Sequence, residues 1–517
     1  MVTDANNGGV MEASFDFRDL FVLDLANNHQ GSLEHGLEAV QRHAEVVKRH
    51  GVRAAIKFQF RDLDSFIHPE HQNGSGNKHI PRFLSTRLGW DDYARLLDEV
   101  KSHGLYAMCT PFDEASAQRI AEMGFDLIKV ASCSAKDWPL MEAVAETNLP
   151  VVFSTGGLAI EDVDNIVVFS EHRALAFALM HCVAIYPTPP SACHLNNIAM
   201  LLQRYGNICV GWSTHEDPEA TAPVQMAVAY GAKLFERHVG LPAENISLNA
   251  YSSTPEQIGK WIEAWQLAQE LRGSFERSEI AAEEAASLDS LKRGVFARRA
   301  LKTGDQLERD DVYFAMPFED GQLDSGAFRG GIVVERDVEA NAPVMQTGVS
   351  LPEPSDGQRL KRYVHQVKAI LNIAGIKLGR EFYVEYSHHY GIPNFGRTGC
   401  VLIDCVNRDY CKKILVQLPG QAHPYHYHKL KEETFQVLWG EIYLDIDGQE
   451  RRMVPGDSAV VLPGAWHKFR TDKGCVVEEI STTHKNNDSI YKDPAINKMA
   501  REERKTVVKH WGRFEIA

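Results

Sequence analysis

From about residue 20 to 270 the chain alternates between short apolar, β-branched runs and longer stretches whose apolar residues recur at helical spacing. The runs are FVLDLA, AAIKFQF, LYAMCTP, LIKVAS, VVFSTGG, FALMHCVA, CVGWSTH and LFERHVG. Between and after them lie segments such as SLEHGLEAVQRHAEVVKRHG and TPEQIGKWIEAWQLAQELRG. Eight alternations within about 250 residues predict an α/β fold, a (β/α)8 TIM barrel over residues 15–275. A doubly wound open sheet competes, but it rarely needs eight such regular units.

The pattern then changes. Residues 273–293 are rich in Ala and Glu and read as a connecting helix or linker. Residues 290–350 carry short strand-like runs broken by turn residues, as in RRALKTGDQLERDDV, and predict a small domain of mixed β character. SLPEPSDGQ (350–358) reads as a Pro/Ser/Gly linker. Residues 360–495 predict a third, β-rich domain with Pro-Gly turns at 419–420, 455–456 and 463–464.

Composition narrows the function classes. The 517 residues are 44% hydrophobic and 24% charged, ordinary for a globular protein. A net charge of −15 without basic blocks argues against nucleic acid as a partner. No apolar run reaches membrane-spanning length, and MVTDANNGGVMEASF lacks the apolar region of a secretory signal. Nine cysteines without CxxC spacing read as reduced thiols of a cytoplasmic protein.

The strand KLFERHVG begins with Leu234 and Phe235, as a core demands, and then carries Glu236, Arg237 and His238. In a TIM barrel the C-terminal strand ends converge on one pocket. Those ends supply Asp24; Lys57 and Gln59; Thr110; Lys129 and Ser132; Ser154; Tyr186; Ser213 and His215; and Glu236 with His238. A single strand-end Ser or Thr reads as a helix cap. Eight polar ends together read as a site. Lys57 and Lys129, with Thr110, Ser132, Ser154 and Ser213, form a cationic, donor-rich wall suited to a small phosphate-bearing anion. His215 and His238 end neighbouring strands and offer two imidazoles to a divalent metal with open positions. Asp24, Gln59, Tyr186 and Glu236 remain to hold a polyol or move a proton. Strand periodicity puts Glu236 and His238 on one side and Arg237 on the other, among the helices, where an ion pair is expected.

The blocks DLANNHQGS, IKFQF, TPFD, IKVASCS, STGG, HCVAIYPTP, GWSTHED and ERHVG occur in the order and spacing of the sialic acid synthase family. The resemblance spans about residues 15–350 and points to the branch that includes spore-coat polysaccharide synthases. Residues 290–350 resemble the antifreeze-like (SAF) module of that family. The resemblance implies condensation of phosphoenolpyruvate with an open-chain sugar aldehyde, in surface glycan biosynthesis. A divalent ion, Mn2+ or Mg2+, polarises the aldehyde oxygen, C3 of phosphoenolpyruvate attacks, water adds to C2 and phosphate leaves. Lys57, Thr110, Lys129, Ser132, Ser154 and Ser213 would bind phosphoenolpyruvate, His215 and His238 the metal, and Gln59, Tyr186 and Glu236 would face the sugar. A homodimer follows from the same resemblance.

The departures fall on the sugar side. Asp24–Leu25 replaces the family's Glu-Ile pair, Ala184 an Asn, Asn249 an Asp that commonly binds the sugar, and Met316 an Arg that reads an acylamino group from the partner subunit. They imply that phosphoenolpyruvate binding is kept and that the sugar is not N-acetylmannosamine.

In the third domain Gly420, His426, His428, Glu433 and Gly440 fit the cupin pattern G-x5-H-x-H-x4-E-x6-G. Histidines two apart on a strand face one side, Glu433 follows a short turn, and PGDSAVVLPGAWHKF brings His467 across. Three His and one Glu suit Mn, Fe, Ni or Zn. HYHKLKEETFQVLWGE and EEISTTH resemble the D-lyxose isomerase type of sugar isomerase, which implies Lys431 and either Glu478 or Glu479 as proton-transfer candidates. Two other readings stand beside the synthase: an aldolase with Lys57 or Lys129 as Schiff base, and a non-catalytic carbohydrate-binding or regulatory protein.

Overall fold

The structure, a computed structural model, describes residues 15–508 except 73–75, 276 and 380–381. It divides into two compact units, one ending at Glu279 and one beginning at Ile280. In the first, β1 (Leu20–Ala26), β2 (Arg53–Phe60), β3 (Tyr106–Pro111), β4 (Leu127–Val130), β5 (Val151–Ser154), β6 (Phe177–Cys182), β7 (Cys209–Thr214) and β8 (Leu234–His238) close into a parallel barrel. The eight apolar runs are its eight strands, and helices alternate with them.

Period-two alternation sorts each strand's side chains. Phe21, Leu23, Ile56, Phe58, Ile128, Phe153, Trp212 and Phe235 belong to the large apolar cluster shared with the helical shell. Leu20, Val22, Ala55, Met108, Leu127, Val152, Met180 and Leu234 form a second cluster. Asp24, Lys57, Thr110, Lys129, Ser154 and Glu236 continue the parity of this second set, two residues further along their strands. These six strands are therefore apolar low in the barrel and polar at their C-terminal ends.

Gly211 on β7 sits where the wall leaves no room for a methyl group: a Cβ there would overlap the Leu234 carbonyl and side chain on β8. We expect Gly211→Ala to lower stability by about 2–3 kcal/mol, as overpacking a rigid core does. A fall in the urea midpoint of the barrel transition measures it.

The second unit opens with a helix, Ala282–Leu291, followed by short antiparallel pairs, Gly294–Ala297 with Val312–Ala315, and Ile332–Val334 with Gln306–Leu307 and Val349–Ser350. They surround Val295, Leu301, Leu307, Val312, Leu323, Ile332 and Val344. The reading of 350–358 as a linker before a β-rich domain needs correction. A helix of 18 residues runs Asp356–Ile373, capped by Ser355 and Gln358, and buries Leu360, Val364, Val367, Ile370 and Leu371. Pro and Ser before a helix look like linker because caps and turns use the same residues.

Beyond the helix lie two antiparallel sheets of seven and five strands. Phe435 from the larger and Leu444 and Phe469 from the smaller share one apolar cluster. This is the double-sheet barrel expected of a cupin. Among the described residues no helix is long and apolar enough to cross a membrane.

Candidate functional site

The strand ends of the first unit converge as the motif spacing predicts. Lys57 Nζ lies 2.8 Å from Asp24 Oδ2, 3.6 Å from Glu236 Oε1 and 3.3 Å from Thr110 Oγ1. Lys129 Nζ donates to Glu236 Oε2 at 2.5 Å, and Ser213 Oγ to Glu236 Oε1 at 3.3 Å. All six side chains are buried. Burial opposes the Lys57 ammonium, but Asp24 and Glu236 outweigh it and hold its pKa above the ordinary lysine value. Burial is also the largest influence on Lys129 and leaves it below that value, against the pull of Glu236. Burial raises Glu236, and the two lysines more than reverse this, holding it well below the carboxylate range. Two cations and two carboxylates thus neutralise one another at the floor of the mouth. Glu236, expected on the sugar side, stands between the lysines of the anion-binding wall.

Ser132 Oγ accepts from the Gly156 N–H at 3.0 Å, and Ser154 is buried at the end of β5. Cys182, at the end of β6, lies between the hydroxyls of Ser132 and Ser213, its thiol pushed up by burial. It passes unnoticed in the sequence as part of the apolar run FALMHCVA.

Above this layer the His215 and His238 rings lie 5.3 Å apart, centroid to centroid. His215 Nδ1 donates to the Val183 carbonyl at 2.9 Å, and His238 Nδ1 is 3.3 Å from Asp24 Oδ2. Holding Nδ1 this way leaves each Nε2 with its lone pair, the arrangement that metal-binding imidazoles need. Burial pulls both pKa values down and keeps the rings neutral. The residues therefore fit a divalent ion. Tyr186 packs on His215 at 4.2 Å, and Tyr251 on His238 at 5.2 Å. Tyr251 comes from the loop after β8, where Asn249 Oδ1 accepts its backbone N–H at 3.1 Å. Gln59 Nε2 donates to Asp24 Oδ2 at 3.3 Å.

Arg237 behaves as its parity predicts. It is buried on the helix side, 3.1 Å from Glu216, donates to the carbonyls of Pro218 and Ala220, and lies over Trp261.

In the second unit the ring nitrogens of His426, His428 and His467 lie within 4.8 Å of one another. Glu433 is 3.3 Å from His428 Nε2 and 3.1 Å from His467 Nε2. Glu433 Oε2 and His467 Nε2 are buried and face no polar partner other than each other, and the Nδ1 atoms of His426 and His467 are tied to the Pro424 and Ala465 carbonyls. Buried imidazole and carboxylate lone pairs converging on one point fit a metal ion. Lys431 Nζ bridges Glu433 at 2.5 Å and Glu479 at 2.9 Å, which holds the ammonium above its usual range against the effect of burial. Glu478 points the other way and pairs with Lys412 at 2.6 Å. Of the two glutamates considered, Glu479 is the one inside.

Residues 44–277 match the family model described as NeuB family, and residues 414–479 match that of a cupin domain. The crystal structure of a candidate spore coat polysaccharide biosynthesis protein E from Chromobacterium violaceum is 41% identical, with a TM-score of 0.62, covering 64% of this chain and 100% of that one. The spore coat polysaccharide biosynthesis protein SpsE of Bacillus subtilis is 25% identical over 358 residues, 63% of this chain and 92% of the relative. N-acetylneuraminate-9-phosphate synthase of Drosophila melanogaster is 27% identical over 319 residues, 56% of this chain and 85% of the relative.

Proposed function

The chain belongs to the NeuB family and carries a cupin domain behind the family region, and from that premise we propose that it condenses phosphoenolpyruvate with an open-chain aldose to give a 2-keto-3-deoxy sugar acid and phosphate. The observation that carries this reading is the buried Lys57–Glu236–Lys129 cluster beneath the paired imidazoles of His215 and His238. Lys57, Lys129, Thr110, Ser132, Ser154 and Ser213 take the phosphate and carboxylate of phosphoenolpyruvate. His215 and His238 hold Mn2+ or Mg2+, which supplies Lewis-acid polarisation of the aldehyde oxygen. Asp24 orients His238 and Gln59 and is placed to hold a proton there. Gln59, Tyr186 and Asn249 face the sugar.

A Schiff-base lysine must present an uncharged amine. Lys57 is held above the ordinary lysine value by Asp24 and Glu236, which favours an ammonium that binds an anion. Lys129 falls below that value, so borohydride trapping is the test that bears on it. Residues 290–350 serve as an antifreeze-like module in a homodimer. The cupin holds a transition metal and binds or isomerises the sugar, with Lys431 and Glu479 as its proton-moving pair.

Phosphate release from phosphoenolpyruvate across a panel of aldoses, with and without Mn2+, tests the synthase. Metal-dependent release without borohydride trapping supports it, and highest activity with N-acetylmannosamine would refute the reading of the sugar side. For the cupin, the reconstituted chain is expected to hold two divalent ions, and His428→Gln with His467→Gln to lose one of them. Elemental analysis after dialysis reads the difference. Incubation of the full chain with aldoses and metal, without phosphoenolpyruvate, reads isomerisation as ketose formed.

A further inference from the structure

We propose that Arg61 reads an anionic group, a phosphate ester or a carboxylate, at the end of the sugar remote from the aldehyde, so that the barrel selects an acidic aldose. The inference deepens the condensation reading and rests on it.

The interior side of β2 carries Lys57 and Gln59, and Arg61 follows one residue past the strand's end. Residues two apart on a strand are separated by about 6.5 Å. The three side chains therefore rise in order from the floor of the mouth. Lys57 touches Asp24, Thr110 and Glu236. Gln59 bonds to Asp24, and Arg61 Nη2 donates to Gln59 Oε1 at 3.4 Å. The guanidinium thus shares the interior side with Gln59.

Its surroundings are unusual for a cation. The guanidinium carbon lies 4.0 Å from the Phe83 ring centre and 3.6 Å from that of Phe112. Nε is buried with no hydrogen-bond partner, and burial pushes the pKa down to about 10. Lys57, Lys129 and Arg237 in the same unit each face a carboxylate at close range. Arg61 forms no ion pair among the described residues, and Asp24 and Asp113 reach it only through space. Arg61 as a whole is half-buried, but its Nε is closed off from solvent without a partner. Aromatic faces offset part of that desolvation, and a counter-anion would complete it. Its planar fork suits a phosphate or carboxylate in a bidentate pair. If the aldehyde end sits beside His215 and His238, a sugar chain running outward along the ladder brings its far end to Arg61.

The test uses the full chain with Mn2+ and phosphoenolpyruvate and two matched pairs, mannose with mannose 6-phosphate and glucose with glucuronate. The wild type should favour the acidic member of at least one pair by about tenfold or more in kcat/KM, and the pair that responds identifies the group. Arg61→Met should cut kcat/KM for that acidic sugar by about 100-fold, the scale of losing one partner of a buried charge pair, so that the acidic-to-neutral ratio collapses toward one. Arg61→Lys should restore part of it. A wild type that uses the neutral members as well or better overturns the proposal. So does equal loss on both members with a lowered melting temperature, which assigns Arg61 to holding Phe83, or a raised KM for phosphoenolpyruvate with every sugar. Phosphate release with neutral sugars alone sinks this inference and leaves the condensation standing; release with no sugar sinks both.

Discussion

Glu236→Gln is expected to melt well below the wild type, and added phosphoenolpyruvate or inorganic phosphate to recover part of the loss. Glu236 is the carboxylate that Lys129 meets, and it also faces Lys57. With glutamine there, Lys57 keeps Asp24 while Lys129 is left as a buried charge without a counter-ion. Breaking a buried pair from one side costs about 3–5 kcal/mol, because the remaining charge stays desolvated. An anion that binds the folded state stabilises it by mass action, and the variant, with one negative charge fewer on the floor, should gain more from phosphate than the wild type does. Scanning calorimetry in buffers with and without phosphate reads both effects. An unchanged melting temperature would mean that Lys129 is not held by Glu236, and the anion wall would lose its organising charge.

The second large effect is expected at the imidazole pair. His238→Ala should lose the barrel ion, keep the cupin ion, and lower kcat/KM for phosphate release by about 10³-fold, since Lewis-acid stabilisation is worth several kcal/mol and each factor of ten is about 1.4 kcal/mol. The geometry singles out His238 because its Nδ1 is oriented by Asp24, which also meets Lys57. The change therefore acts on the ion site and on the contacts of Asp24 together. Metal content and phosphate release on the same preparation separate this from misfolding. A variant that keeps both ions would contradict the assignment of His238.

Much of this was legible in the chain, and the reasons are specific. Leu20, Val22 and Asp24 alternate with Phe21 and Leu23, so the turn from apolar to polar along one face could be read without coordinates. The same parity placed Arg237 outside and Glu236 inside. What parity cannot give is which inward groups meet across a closed barrel. Glu236 on β8 joins Lys57 on β2 and Lys129 on β4, a triangle that no spacing in sequence encodes. Tyr251 lies on an irregular loop with no period to betray it, and Arg61 falls one residue past a strand end, where a charged residue reads as solvated. In the cupin, the choice between Glu478 and Glu479 depends on register: Glu479 pairs with Phe435 on the neighbouring strand and shares its inward side.

The account turns on carbon–carbon bond formation at the barrel mouth. Mass spectrometry of the full chain incubated with phosphoenolpyruvate, Mn2+ and a mixed pool of neutral and acidic aldoses tests it most directly. The predicted result is a new acid heavier than one of the aldoses by a pyruvic acid unit, formed mole for mole with inorganic phosphate and absent in the Lys129→Met variant. Phosphoenolpyruvate recovered intact, with every aldose unchanged or only isomerised, would contradict it.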